Sequence, residues 1–248
     1  MPVVTDRSFR LAYVPGVTPA KWVRTWQERV PEVPLVLDQV PAAQAVEVVR
    51  ERRADAALVR LPIDRTDLHA IPLYTETTVV VVPKDHLLAV ADEVSVEDLA
   101  DSVVLHAHDD TLDWPHPPGE LATHRPATTM DAVELVAAGV GLLVVPQSLA
   151  RLYHRRDLTY RPVTFGPQSS VALTWPADGT SDLMEEFIGV VRGRTVNSTR
   201  GRTQPPAATP PAPPAPAKKK RPAPDATRTA TTARRRGGTP HRGKRGKR

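Results

Sequence analysis

Six side chains between positions 106 and 116 are of the types that hold metals or move protons: His106, His108, Asp109, Asp110, Asp113 and His116. A metal centre needs fixed geometry as well as suitable atoms. Their spacing follows no zinc or calcium pattern, and Pro115 and Pro117 mark the stretch as a loop, so a solvated acidic loop is the expectation. The adjacent carboxylates Asp109 and Asp110 are no acid–base couple without a shielded pocket. Elsewhere the chain lacks the Gly-x-Ser-x-Gly elbow, a glycine-rich phosphate loop followed by Lys-Ser/Thr, and His-Glu-x-x-His. Gly139-Val140-Gly141 is too short for a dinucleotide fingerprint, and it follows a helical pattern instead of opening one. With no cysteine, thiol nucleophiles, disulfides and thiolate metal sites are excluded. The sequence therefore leads us to expect no catalytic residue, no metal and no cofactor.

The elements around these residues alternate between strand and helix patterns, which predicts an α/β fold with a mostly parallel sheet. Phe9 to Val14 is a first strand closed by the turn Pro15-Gly16, and Pro19 to Arg29 is helical, with Thr18 placed as its N-cap. Strands are predicted at 35–37, 56–59, 68–73, 75–82, 103–105, 142–145 and 170–175. Further helices are predicted at 42–53, 95–98, 130–138 (ending at Gly139), 147–154 and 181–191. The segment 107–125 reads as a loop. At 248 residues and 40% hydrophobic, the chain can fill one or two folded units. The first ten residues hold no signal-peptide run, and no stretch approaches the roughly 20 apolar residues that span a bilayer. A cytoplasmic protein without membrane contact is expected.

The net charge of +5 conceals a division. After Ser198, 15 Lys and Arg face one acid, Asp225, a net +14, while the preceding residues hold 18 basic and 27 acidic side chains, a net −9. Pro205 to Pro216 is a proline–alanine repeat that can form neither helix nor inner strand. The predicted disordered tail, residues 198–248, carries two basic clusters. They contain Lys218, Lys219, Lys220 and Arg221, then Arg234, Arg235, Arg236, Arg242, Lys244, Arg245, Lys247 and Arg248. One reading makes these residues an electrostatic tether to DNA or another polyanion, with affinity that falls steeply with salt. No recognition helix and no stacking aromatic accompanies them, so they would read no sequence. The other reading is a solvated extension with no binding role.

Several segments, in order, carry a resemblance. They are the strand and turn Phe9 to Gly16, the helix end Trp26-Gln27-Glu28-Arg29-Val30-Pro31, and the strand Ala54-Asp55-Ala56-Ala57-Leu58-Val59. The run Val79 to Ala89, with Pro83, His86 and Leu87, and the stretch Val133 to Pro146, with Ala138-Gly139-Val140-Gly141, complete the set. Together they resemble the substrate (effector)-binding domain of LysR-type transcriptional regulators, without the N-terminal helix-turn-helix. The resemblance implies a two-lobed, type II periplasmic-binding-protein-like fold over residues 1–197. Lobe I would take about 9–82 and 173–194, and lobe II about 83–172. It also implies a small-molecule effector, anionic in character, held in the cleft between lobes, and side-by-side homodimers. Helix 42–53, with its Ala/Val face, is the candidate for pairing unless that face is buried in its own lobe.

Helix N-termini offer unpaired N–H groups and partial positive charge to such an anion. Two ends suit the cleft, Val17-Thr18 and Thr128-Thr129. The threonines serve equally as plain helix caps. Arg60, after its strand, is either a contact in the crevice or a rim charge. His106 stands where the family places a further contact, or is a satisfied buried histidine. Between Pro15-Gly16 and Pro31 this chain is a few residues shorter than the family, in the region that shapes the cleft mouth. The function expected is ligand sensing in transcriptional regulation. The alternative is a nucleoid- or RNA-associated protein that acts through the tail, with the body as a dimerisation module.

Overall fold

Continuous apolar runs such as Ala56-Ala57-Leu58-Val59 and Val79 to Val82 suit strands covered on both faces, and the computed structural model, which describes residues 8–193, buries both. In chain order the strands are β1 (Phe9–Tyr13), β2 (Leu35–Gln39), β3 (Ala56–Leu61), β4 (Leu68–Glu76), β5 (Thr78–Pro83), β6 (Val94–Ser95), β7 (Val103–Leu105), β8 (Glu120–Leu121), β9 (Leu142–Pro146), β10 (Leu158–Thr164) and β11 (Ser169–Pro176). The helices are α1 (Ala20–Arg29), α2 (Ala45–Arg50), α3 (Thr129–Ala137), α4 (Gln147–Leu152) and α5 (Asp182–Val191). They build two sheets, one in the order β2-β1-β3-β11-β4 and the other β6-β10-β5-β9-β7-β8. In the first, β1 pairs parallel with β2 and β3, so their carboxyl ends point the same way, and β11 runs antiparallel to both neighbours.

Two crossovers join the sheets. β4 ends at Glu76 and β5 begins at Thr78, leaving Thr77 between them, and the return path runs through 165–168 to β11. The lobe boundaries therefore lie earlier than 82 and 173. Thr78–Pro83 pairs with β9 and β10, and Ser169–Pro176 pairs with β3 and β4, because hydrogen bonding and not apolar continuity decides which sheet owns a strand. The crossovers are tied together by the Thr78 hydroxyl, which donates to the Pro167 carbonyl.

The first core packs Phe9, Trp26 and Phe187 in one aromatic group, with ring centroids 5.0 Å apart for Phe9–Trp26 and Phe9–Phe187. The Trp26 indole N–H donates to the Val33 carbonyl at 2.8 Å. Trp26→Phe keeps the ring contacts but orphans that buried carbonyl, so it is expected to lower stability by about 1–2 kcal/mol in urea unfolding. The second sheet has apolar clusters on both faces, around Val79, Val81 and Val133 and around Val80, Val82 and Leu99.

Three further expectations change. α1 begins at Ala20 with Pro19 as N-cap and no side-chain cap, so Thr18 does not cap it. The predicted helix 42–53 is a 3-10 turn at Ala42–Gln44 and a short α2, ended by Arg52 at φ 58°. Its Ala45, Val48 and Val49 are buried in the first core, so that face is spent inside its own lobe and is not free for dimer pairing. β10 falls on a segment for which no strand was predicted. Pro162 is tolerated because β6 meets β10 only at Val163 and Thr164. The basic clusters at 218–248 lie outside the described residues.

Candidate functional site

The carboxyl ends of β1 and β2 converge on the crossover strand β4, the place where open α/β sheets take ligands. A cleft of about 660 Å³ opens there. Its walls are the loop Gly16 to Pro19 after β1, Gln39 at the end of β2, Tyr74 to Thr77 at the first crossover, and Gln147, Ser148, Arg151 and Leu152 from α4 on the second lobe. α4 is held to the crossover by its first amide, Gln147 N–H to the Thr77 carbonyl at 2.9 Å. Of the lining residues only Glu76 and Arg151 are charged.

Glu76 is already matched. Its Oε2 accepts from Arg60 Nε at 3.1 Å, and both side chains are almost fully buried. Arg60 also donates from Nη1 to the Pro15 carbonyl at 2.8 Å and from Nη2 to Ser148 Oγ at 3.0 Å. One guanidinium thus joins the loop before α1, the crossover strand and the helix of the opposite lobe. Arg60 is buried and so is no rim charge, and it does not line the cleft: it lies behind the wall and positions what lines it. Gly16 makes this approach possible. At φ +85° it places its Cα so near that an added Cβ would lie 2.6 Å from Ser148 Oγ and 2.9 Å from Arg60 Nη2.

Arg151 is the group that sequence reading missed. Its Nε donates to the Tyr160 hydroxyl at 3.2 Å, and no described carboxylate lies within ion-pair distance of it. It therefore presents an uncompensated charge to the cleft, with Gln39, Gln147, Thr18 and Thr75 as neutral hydrogen-bonding neighbours on the walls. Tyr74 adds a hydroxyl that burial, and then the carboxylate of Glu76, hold above its usual titration range, so it stays a neutral donor.

The structure brings Val17 and Thr18 to this cleft, but not His106, Thr128 or Thr129. Thr128 caps α3: its Oγ1 accepts from Asp131 N–H at 3.1 Å and the Asp131 carboxylate accepts from Thr128 N–H at 3.1 Å, a reciprocal capping box. The Thr129 N–H and hydroxyl both donate to Asp109 Oδ1, at 2.6 and 2.8 Å. A carboxylate of the chain itself thus occupies the α3 terminus, where an effector anion was expected. At the other end, Gly139 at φ +74° closes the helix as the sequence implied.

His106 Nε2 lies 3.0 Å from Asp110 Oδ2. Among the described residues, no three His, Asp or Glu side chains come together in a metal-holding group. Burial is the main influence on the Asp110 carboxyl and pushes its pKa above 3.8, outweighing the Leu112 amide and the His106 charge that favour the ionised form. The folded protein consequently holds this proton to higher pH than the unfolded chain. Its contribution to stability falls as pH rises from about 3.8 through the folded pKa, and the deficit persists above. Asp110→Asn is expected to match the wild type at low pH and to exceed it at pH 7, in paired urea titrations. A variant less stable at pH 7 than at low pH, relative to wild type, would contradict the assignment.

Comparison with known proteins agrees with this architecture. Residues 6–195 match the family described as the LysR substrate binding domain. Among curated relatives, a "Probable hydrogen peroxide-inducible genes activator" of Mycobacterium avium is 34% identical over 151 residues, covering 56% of this chain and 49% of that protein. The HTH-type transcriptional regulator AlsR of Bacillus subtilis is 25% identical over 181 residues, covering 68% and 59%. The chain thus spans roughly half of their length. Among solved structures, a mutant OxyR regulatory domain from Pseudomonas aeruginosa superposes with a TM-score of 0.61 at 20% identity, over 75% of this chain and 95% of that one. The effector binding domain of a BenM variant gives 0.63 at 20% identity, over 75% and 94%. These structures share the fold, and the relatives named are regulators, with none that is nucleoid- or RNA-associated. The chain, with its two sheets, double crossover and cleft between them, belongs to the LysR substrate-binding domain family.

Proposed function

We propose that this protein senses a small organic monoanion in the cleft between its lobes and acts, as the effector-binding part of a cytoplasmic transcriptional regulator, on gene expression. The observation that carries the reading is the cleft itself, where Arg151 has no carboxylate partner among the described residues and stands beside neutral hydrogen-bonding side chains. With Glu76 neutralised by Arg60, the lining retains one positive charge, which favours one carboxylate or equivalent group over a dianion. Thr18, Gln39 and Gln147 would then take the hydroxyl or carbonyl oxygens of the ligand body. Peroxide chemistry on a thiol, which the names of some relatives bring to mind, is not open to these 248 residues because none is cysteine.

Thermal stability in the presence of a panel of small mono- and dicarboxylates tests the proposal. A monoanion present at about 100 times its Kd should add about 2.7 kcal/mol of stability. Stabilisation by dicarboxylates alone, or by none of the panel, would count against it. The output surface we propose is a homodimer together with the basic clusters at Lys218–Arg221 and Arg234–Arg248. Their charge suits phosphate contacts without base readout. Duplex DNA binding that falls steeply across a salt series, and is lost when the chain is ended at Ser198, is the expected result.

A further inference from the structure

A second groove lies on the first sheet, at the opposite end of β4 from the cleft. The cleft uses Tyr74 to Thr77, and this groove uses His69 to Ile71, together with Trp175 at the end of β11 and residues of α5. Pro72 and Leu73 lie between the two segments, so their nearest lining residues, Ile71 and Tyr74, are roughly 10 Å apart along the strand. The groove has a volume of about 360 Å³. Its floor is apolar: Trp175 and Ile188 are each 6% exposed, and Ile71 packs against the same core. The Trp175 ring is fixed, with its N–H donating to Thr180 Oγ1 at 3.2 Å and the His69 ring 5.3 Å away.

The rim has the opposite character. Arg65 and Arg192 both line the groove, and neither guanidinium lies within ion-pair distance of a described carboxylate. Arg65 reaches only the Ala70 carbonyl, at 3.3 Å. Glu185 is the sole acid in the lining, against the two arginines. The neighbouring Arg50, by contrast, is matched by Glu47, Asp64 and Asp67. Two unmatched guanidiniums above an indole floor are complementary to an anion with an apolar body. The head group would gain charge-assisted hydrogen bonds, and the body would cover Trp175 and Ile188.

We propose that this groove is a second small-molecule site, taking an aryl or branched-alkyl carboxylate independently of the cleft. β4 and β11 are the strands that lead into and out of the two crossovers, so a ligand here rests on the elements joining the lobes.

The test is calorimetric titration of the full-length protein with phenylacetate and isovalerate, with inorganic phosphate as a polar anion control. Saturable binding of one of the two organic anions, weakened at least about tenfold in the double variant Arg65→Gln/Arg192→Gln, is expected, because that change removes both charge-assisted partners. Both residues are exposed, so the variant should fold, and a wild-type-like melting temperature verifies it. Arg151→Gln should leave this affinity unchanged, which separates the groove from the cleft. The proposal is overturned if neither organic anion saturates by about 10 mM, if phosphate competes equally, or if affinity is lost in Arg151→Gln and kept in the double variant.

Discussion

Replacing Arg60 with methionine is expected to lower the free energy of unfolding by about 3–5 kcal/mol, the usual effect of stripping one partner from a buried ion pair. The size follows from what is left behind. Glu76 would keep a buried carboxylate with no cation beside it, and the Pro15 carbonyl and Ser148 hydroxyl would each lose a donor. The pair itself contributes much less than its breakage costs, because ions taken out of water lose hydration that their mutual attraction only partly restores. Adding Glu76→Leu to Arg60→Met should therefore recover most of the loss. Urea unfolding of the two single variants and the double variant gives the coupling directly. A double variant as unstable as Arg60→Met alone would mean that the links to Pro15 and Ser148, not the charge, hold the region.

Gly16→Ala is the second large effect, expected at about 3 kcal/mol. Positive φ costs an L-residue roughly 1–2 kcal/mol, and the remainder comes from contact. A methyl 2.6 Å from Ser148 Oγ and 2.9 Å from Arg60 Nη2 must move one of them, yet Arg60 is pinned at three points and Ser148 belongs to α4. The Arg60–Ser148 bond joins the lobes, so its loss separates them as well as weakening the fold. Gly16→Ala should therefore bind the effector more weakly than wild type, even at temperatures where it is fully folded. Ligand affinity measured well below the melting midpoint checks this. Unchanged affinity there would show that the Gly16 approach serves stability alone.

The pattern of these two residues explains which parts of the site were legible in the sequence. Local chemistry was readable: the turn at Pro15-Gly16, the cap at Thr128 and the glycine stop at Gly139 are all decided within a few residues. Strands carried by β-branched runs, such as Val79 to Val82, were equally plain. What depended on distant partners was not. Arg60 and Glu76 are 16 positions apart and become a buried pair only because β3 and β4 flank β11. Arg151 carried no sequence signal of its own, since its place beside the crossover depends on Gln147 binding the Thr77 carbonyl. The α3 terminus looked ready for a ligand, and only the folded loop shows Asp109 filling it. β10 lay outside the predicted strands. Arg161 is accommodated by bonds to the Ala89 and Ala91 carbonyls, which no local pattern announces.

Recognition of one negative charge by Arg151 is what the proposed function stands on. Its most direct test is the affinity of a stabilising monocarboxylate for wild type and for Arg151→Gln, measured at two salt concentrations. A loss of about 1.5–3 kcal/mol, roughly a tenfold to hundredfold rise in Kd, is expected, with weaker salt dependence in the variant. Equal affinity in both proteins, with the same response to salt, would contradict it and place the charge contact elsewhere on the chain.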